Sequence, residues 1–244
     1  RQILPHFFAG TPQREAIARL HYLVAGGLDA GVMISETGCG LTTLLQHVSQ
    51  STGFGDTAIQ TILTRGKVQT AEEVWTQLAN QLRLPSQQNA SSAVIHQCRA
   101  LSRQLVRPVW FMDDCTETSA SVARTLIESD AQLTVVLGTS IETAREACLQ
   151  IGQCPLRIDL PPLSLEDSIR FTDWSLRLVR LPESKPPAYF TDTALVRLHE
   201  LSEGRMGWIG RIAELSLMIA AAHQMRHVDV DLLESVQGEL VRAA

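Results

Sequence analysis

Lysine is almost missing from this chain of 244 residues: Lys67 and Lys185 are the only two, and arginine carries nearly all the positive charge. The charge balance excludes a basic field of the kind that draws in nucleic acid, since 21 Lys and Arg face 26 Asp and Glu for a net charge of −5. No run reaches the roughly 18 consecutive apolar residues of a membrane span. No C-x-x-C pair occurs. Cys39, Cys98, Cys115, Cys148 and Cys154 are odd in number and read as reduced thiols of a cytosolic domain, used for core packing. Internal repeats and low-complexity tracts are absent. So are an initiating methionine and a signal-like segment, and the chain is expected to be a piece of a longer polypeptide. What is abundant is apolar side chain: 45% hydrophobic residues can build a large core, as one big domain or one with an appended lobe.

One stretch organises the rest. The apolar run Gly31-Val32-Met33-Ile34 leads into Ser35-Glu36-Thr37-Gly38-Cys39-Gly40-Leu41-Thr42-Thr43, and then into a helix with Leu44, Leu45 and Val48 as its apolar face. That is the layout of a phosphate-binding loop, whose pattern is G-x-x-x-x-G-K-[ST]. Gly40 and Thr42 fit it. Ser35 stands for the opening glycine and Leu41 for the lysine. Backbone N–H groups in a glycine turn and at a helix N-terminus bind phosphate oxygens whatever the side chains are, so Thr37, Gly38, Cys39, Gly40, Leu41, Thr42 and Thr43 are the candidate nucleotide-binding residues. The Thr42 hydroxyl sits where Mg²⁺ is held. What Leu41 removes is the ammonium that bridges the terminal phosphates.

Along the chain, strands and helices alternate. Helices are expected at residues 13–25, 71–82, 91–105, 122–127 and 141–151, and strands at 31–34, 57–63, 108–113, 133–137 and 156–160, with a turn over Pro85-Ser86-Gln87-Gln88-Asn89. The alternation points to a parallel sheet covered by helices on both faces. After Pro161-Pro162 only helical periodicity remains, at 165–181, 192–201, 208–222 and 230–241, with a linker over 182–187.

A second motif follows the apolar strand Val109-Trp110-Phe111-Met112: the acids Asp113 and Asp114, in a Walker B pattern. The first acid orients Mg²⁺, so Thr42 and Asp113 form the candidate metal pair; the second polarises the attacking water. Asp114 stands where glutamate is usual and is one methylene shorter. The bland reading of such a pair is a solvated strand end. Other residues have bland readings too. His223 and His227, four apart, suit either two metal ligands on one helix face or a solvated helix end, and the second is preferred because no third ligand is near. Trp75, Trp110, Trp174 and Trp208 lie in amphipathic or buried runs and read as core. Arg170, Arg177 and Arg180 share space with Glu166 and Asp167 and read as a polar helix face.

With these motifs in place, the chain resembles the AAA+ ATPase module of the general secretion pathway protein A (ExeA-type) family, and more distantly the transposition ATPase TniB. The resemblance lies in Phe7-Phe8 ahead of Arg14-Glu15-Ala16-Ile17-Ala18-Arg19-Leu20, in the loop itself, in Leu160-Pro161-Pro162-Leu163-Ser164, and in Phe190-Thr191-Asp192-Thr193-Ala194-Leu195 running to Leu201-Ser202-Glu203-Gly204. It implies a P-loop AAA+ α/β core of three layers around a five-stranded parallel sheet over residues 1–162. A C-terminal all-helical lid follows over 163–244, and ATP or ADP with Mg²⁺ binds between the two. It also implies four catalytic positions. Asp113 and Asp114 are the Walker B acids. Thr139 is the polar sensor after the fourth strand, with a helix cap (shared with Ser140) as the alternative. Arg157 is a finger offered to a neighbouring subunit, with an exposed strand residue as the alternative. The lid arginine falls on Met206-Gly207 and is lost, although Arg205 and Arg211 lie close.

Three functional expectations follow. The first is a degenerate module with weakened ATP binding and impaired hydrolysis, acting as an assembly or regulatory scaffold beside itself, an active AAA+ paralogue, or a secretion-system or envelope protein. The second is a working ATPase in which another cation replaces the lysine. The third is a DNA-transposition adaptor, against which the acidic net charge argues. The expected location is cytoplasmic, as a domain of a longer membrane-associated protein.

Overall fold

The structure, a computed structural model, describes residues 7–66, 70–85, 89–152, 155–179 and 189–243. The expected linker over 182–187, the middle of the expected turn at 86–88, and Lys67, Lys185, Cys154 and Arg180 lie outside the described residues. The chain forms two compact units. The first takes residues 7, 13–36 and 41–160, and the second takes 8–12, 37–40 and the chain from 161 onward.

In the first unit the elements run α1 (Thr11–Ala25, entering at residue 13), β1 (Ala30–Ser35), α2 (Leu41–Val48), β2 (Gly53–Phe54), β3 (Thr57–Thr64), α3 (Ala71–Gln81), α4 (Ala90–Arg103), β4 (Val106–Met112), α5 (Glu117–Glu128), β5 (Thr134–Ser140), α6 (Ile141–Ile151) and β6 (Leu156–Leu160). The sheet order is β2-β3-β4-β5-β1-β6. Five strands are parallel, as expected, and β2 is an added antiparallel edge on β3. Two residues are too few to show a period in the sequence, which is why β2 was not legible. Its Phe54 is nonetheless fully buried.

Strict alternation splits the sheet into two buried faces. Val32 and Ile34 of β1, Trp110 and Met112 of β4, and Val135 and Leu137 of β5 pack on one side, with α3 to α6. Met33, Val109, Phe111 and Val136 pack on the other, with α1 and α2. Three layers result. Helix α5 begins at Glu117, earlier than its apolar residues suggest. Thr116 and Ser119 form a capping box in which each side chain accepts from the other's backbone N–H. Burial pushes the thiols of Cys98 and Cys115 up to about 11, so both are neutral core groups.

The second unit holds α7 (Leu165–Val179), α8 (Asp192–Ser202), α9 (Met206–Ala222) and α10 (Val230–Ala243) around a core that includes Leu163, Phe190, Leu198, Ile209, Ile212 and Leu233. One parallel bridge, Phe190 to Val228, interrupts the helical pattern. Phe8 enters this core against Phe171 and Trp174, whereas Phe7 stacks on His47 of α2 in the first unit. The Phe7-Phe8 pair thus serves each unit with one ring. His223 is the C-cap of α9 and His227 lies beyond the helix; both are exposed. They do not share a helix face, and among the described residues no group of three His, Cys, Asp or Glu could hold a metal. No described helix is long and apolar enough to cross a membrane.

Candidate functional site

In the first unit the parallel strands deliver their polar residues to one edge. β1 and β5 are paired up to Ser35 and Ser140, with Ile34 opposite Thr139. β3 and β4 are paired up to Thr64 and Met112. Asp113 therefore follows β4 at the carboxyl end of the sheet, where open α/β sheets place their ligands. Its own N–H donates to the Thr64 carbonyl at 3.0 Å. Thr42, in the first turn of α2, donates from Oγ1 to Asp113 Oδ1 at 3.1 Å. The expected metal pair is thus in direct contact. Burial pushes the Asp113 carboxyl above its ordinary value; the Thr42 hydrogen bond opposes that shift, Asp114 adds to it, and Arg65 opposes it.

The remaining expected residues are placed as follows. Asp114 is exposed and left-handed at φ 59°, a conformation that short polar side chains tolerate. Thr139 is buried inside β5, its hydroxyl 2.7 Å from that of Thr143. The helix cap position is Ser140, which makes no capping bond; its hydroxyl lies 3.1 Å from Thr143 instead. Arg157 sits at the register of Val32, near the amino end of β6 and set back from the carboxyl edge of the sheet, and its Nε donates to Asp159 Oδ1 at 2.8 Å. Its side chain is 68% exposed. Beside it an open groove of about 760 Å³ is lined by Val32, Ile34, Ala144 and Cys148, with Ile141 and Leu149 exposed along it.

Leu41 is half-buried. It packs against the cluster beneath α2, and its Cδ2 would lie 3.5 Å from a Cβ built on Gly138. Such a Cβ would also meet the Met112 carbonyl at 2.7 Å and Leu45 Cδ1 at 2.8 Å, so glycine at 138 lets α2 approach β5.

Two residues missed in the sequence complete this edge. Arg65 follows Thr64 and so stands beside Asp113, one step past the last register pair. The Gln46 amide of α2, oriented with its oxygen toward Arg65, accepts from the two terminal guanidinium nitrogens at 2.9 and 2.6 Å. The available signal was position: an arginine directly after a parallel strand.

Thr37 to Gly40 belong to the second unit. Gly38 and Gly40 have φ of 91° and 89°, which strain any other residue. The Gly207 N–H, in the first turn of α9, donates to the Gly38 carbonyl at 2.8 Å, and a Cβ on Gly207 would lie 3.3 Å from Gly38 Cα. Met206 Sδ would lie 3.2 Å from a Cβ on Gly40. Cys39 is buried and Thr37 exposed. The two arginines nearby are engaged elsewhere: Arg205 pairs with Glu203 at 2.9 Å, and Arg211 lies 5.9 Å above the Trp208 ring.

Solved structures repeat this architecture. Aeropyrum pernix ORC2, determined as ADPNP–ADP complexes, matches with a TM-score of 0.66 and 14% identity over 98% of this chain and 70% of that one. Drosophila ORC bound to DNA matches with 0.64 and 16% over 99% and 69%. The Thermotoga maritima RuvB Holliday junction branch migration motor matches with 0.58 and 13% over 96% and 70%. The chain has the AAA+ P-loop ATPase fold. No family model and no curated protein matches its sequence. On this fold, Thr42 and Asp113 supply hard oxygen donors that suit Mg²⁺. Leu41 supplies nothing that suits a terminal phosphate.

Proposed function

We propose that this chain is a nucleotide-binding AAA+ module of the ExeA type with a weakened polyphosphate grip and slow or absent turnover, acting as an assembly or regulatory scaffold. The observation that carries this reading is Leu41, which opens α2 with its side chain in apolar packing at the lysine position. A hydrogen bond to a charged group contributes about 1.5–3 kcal/mol, so its loss lowers ATP affinity roughly ten- to a hundredfold. Turnover falls further, because lysine also balances the charge that develops during transfer.

What remains supports binding. The N–H groups that open α2 are anion donors. Thr42 and Asp113 are the residues that would hold Mg²⁺, which neutralises phosphate charge when bound. Thr139, at the end of β5, is a sensor candidate. Arg157 and the groove beside it support self-association, or pairing with an active AAA+ paralogue to which Arg157 is offered in trans. A secretion-system or envelope protein is the expected client on the cytoplasmic side.

Calorimetric titration with ATP and ADP, with and without Mg²⁺, tests the reading. Weak binding strengthened by Mg²⁺ is the expected result, with little product in a single-turnover assay. Hydrolysis at an ordinary rate by the purified chain, abolished in Asp113→Asn, would overturn it. That outcome belongs to the second reading, a working ATPase with a substitute cation. The third, a DNA-transposition adaptor, draws on the DNA-bound ORC structure but meets a net charge of −5.

A further inference from the structure

We propose that Arg65 is the cation that contacts the terminal phosphate of a nucleoside triphosphate bound at α2, in place of the absent lysine. The inference rests on the nucleotide-binding reading above and names the residue that keeps part of the weakened grip on the terminal phosphate. Three observations within the first unit support it.

The first is place. Arg65 leaves β3 at the carboxyl edge of the sheet, next to the strand that Asp113 follows. Thr42 reaches the same carboxylate from α2. Gln46, which holds the guanidinium, lies four residues after Thr42 and so on the same face of that helix. Arg65, Asp113, Thr42 and Gln46 therefore form one contiguous cluster.

The second is charge. Arg65 is close enough to pull against the upward shift of Asp113. Yet no described carboxylate lies within ion-pair distance of it. A neutral amide fixes the guanidinium, which orients it without neutralising it. An arginine whose only purpose was structural would gain more from a carboxylate. One held by an amide keeps its full charge for an incoming anion.

The third is geometry. A guanidinium has five donors in a planar fork. Gln46 takes one from each terminal nitrogen, and the rest are left to engage phosphate oxygens. Leu41, half-buried against the apolar cluster, offers no charge of its own.

The test compares wild type, Arg65→Ala and Arg65→Lys by calorimetric titration with Mg-ATP and Mg-ADP, with thermal melting of each to establish folding. Because ADP lacks the terminal phosphate, Arg65→Ala is expected to weaken ATP roughly tenfold or more while leaving ADP nearly unchanged. Arg65→Lys is expected to recover part of the ATP affinity, since it keeps the charge. Equal loss for ATP and ADP, or no loss at all, overturns the role of Arg65 and leaves the nucleotide-binding reading standing. Failure of the wild type to bind either nucleotide overturns both.

Discussion

On the proposed reading, Leu41 spends a helix-opening position on packing instead of phosphate chemistry. The substitution Leu41→Lys is therefore expected to raise ATP affinity by about ten- to a hundredfold in a calorimetric titration. No gain would mean that phosphate is kept out for another reason. Asp113 shows the opposite strain, a carboxylate kept at a buried position where its ionisation is disfavoured. Its folded-state pKa is raised, so the folded chain binds more protons than the unfolded one as pH rises past the ordinary carboxylate value. Stability contributed by this group therefore falls over that window and stays low above it. Asp113→Asn removes the penalty and still accepts from Thr42. The variant is expected to melt higher than wild type near neutral pH, with the gap shrinking toward about pH 4. A gap that is constant across this range would remove ionisation as its cause.

At the scale of elements, the position of α2 is set by what β5 lacks. Gly138 leaves room for Leu41 and Leu45, and a methyl group there would meet the Met112 carbonyl at 2.7 Å. Gly138→Ala is expected to cost about 1–3 kcal/mol in chemical denaturation, the usual range for overpacking. It should also weaken nucleotide binding, because α2 carries Thr42. Normal stability in this variant would show that the strand end can shift freely. The same scale explains which elements were readable. Strands β1, β4 and β5 announce themselves as apolar runs because they are buried on both faces. The start of α5 was hidden, since a Thr–Ser capping box precedes its first apolar residue. His223 and His227 lie at and beyond an exposed helix end, as preferred from the sequence, because α9 stops at Ala222.

For the whole molecule, the net charge of −5 sets an expectation that the fold alone does not. Structural relatives include DNA-bound ORC, but phosphate contacts need a basic surface. Anisotropy of a labelled duplex is expected to show no saturable binding at about 0.15 M salt. A steeply salt-dependent isotherm would favour the transposition-adaptor reading instead. The sequence by itself determined the order of helices and of the five parallel strands, the glycine loop with leucine at its lysine position, and the acid pair after β4. These are local matters, written in periodicity and in the identity of single residues. Tertiary structure alone decided that Thr42 touches Asp113, that the Leu41 side chain packs against the apolar cluster, and that Arg65 stands beside Asp113 with Gln46 holding it. Those contacts arise from strand register and helix approach, which bring together residues far apart in the chain, and no pattern along one strand encodes which neighbour it will have.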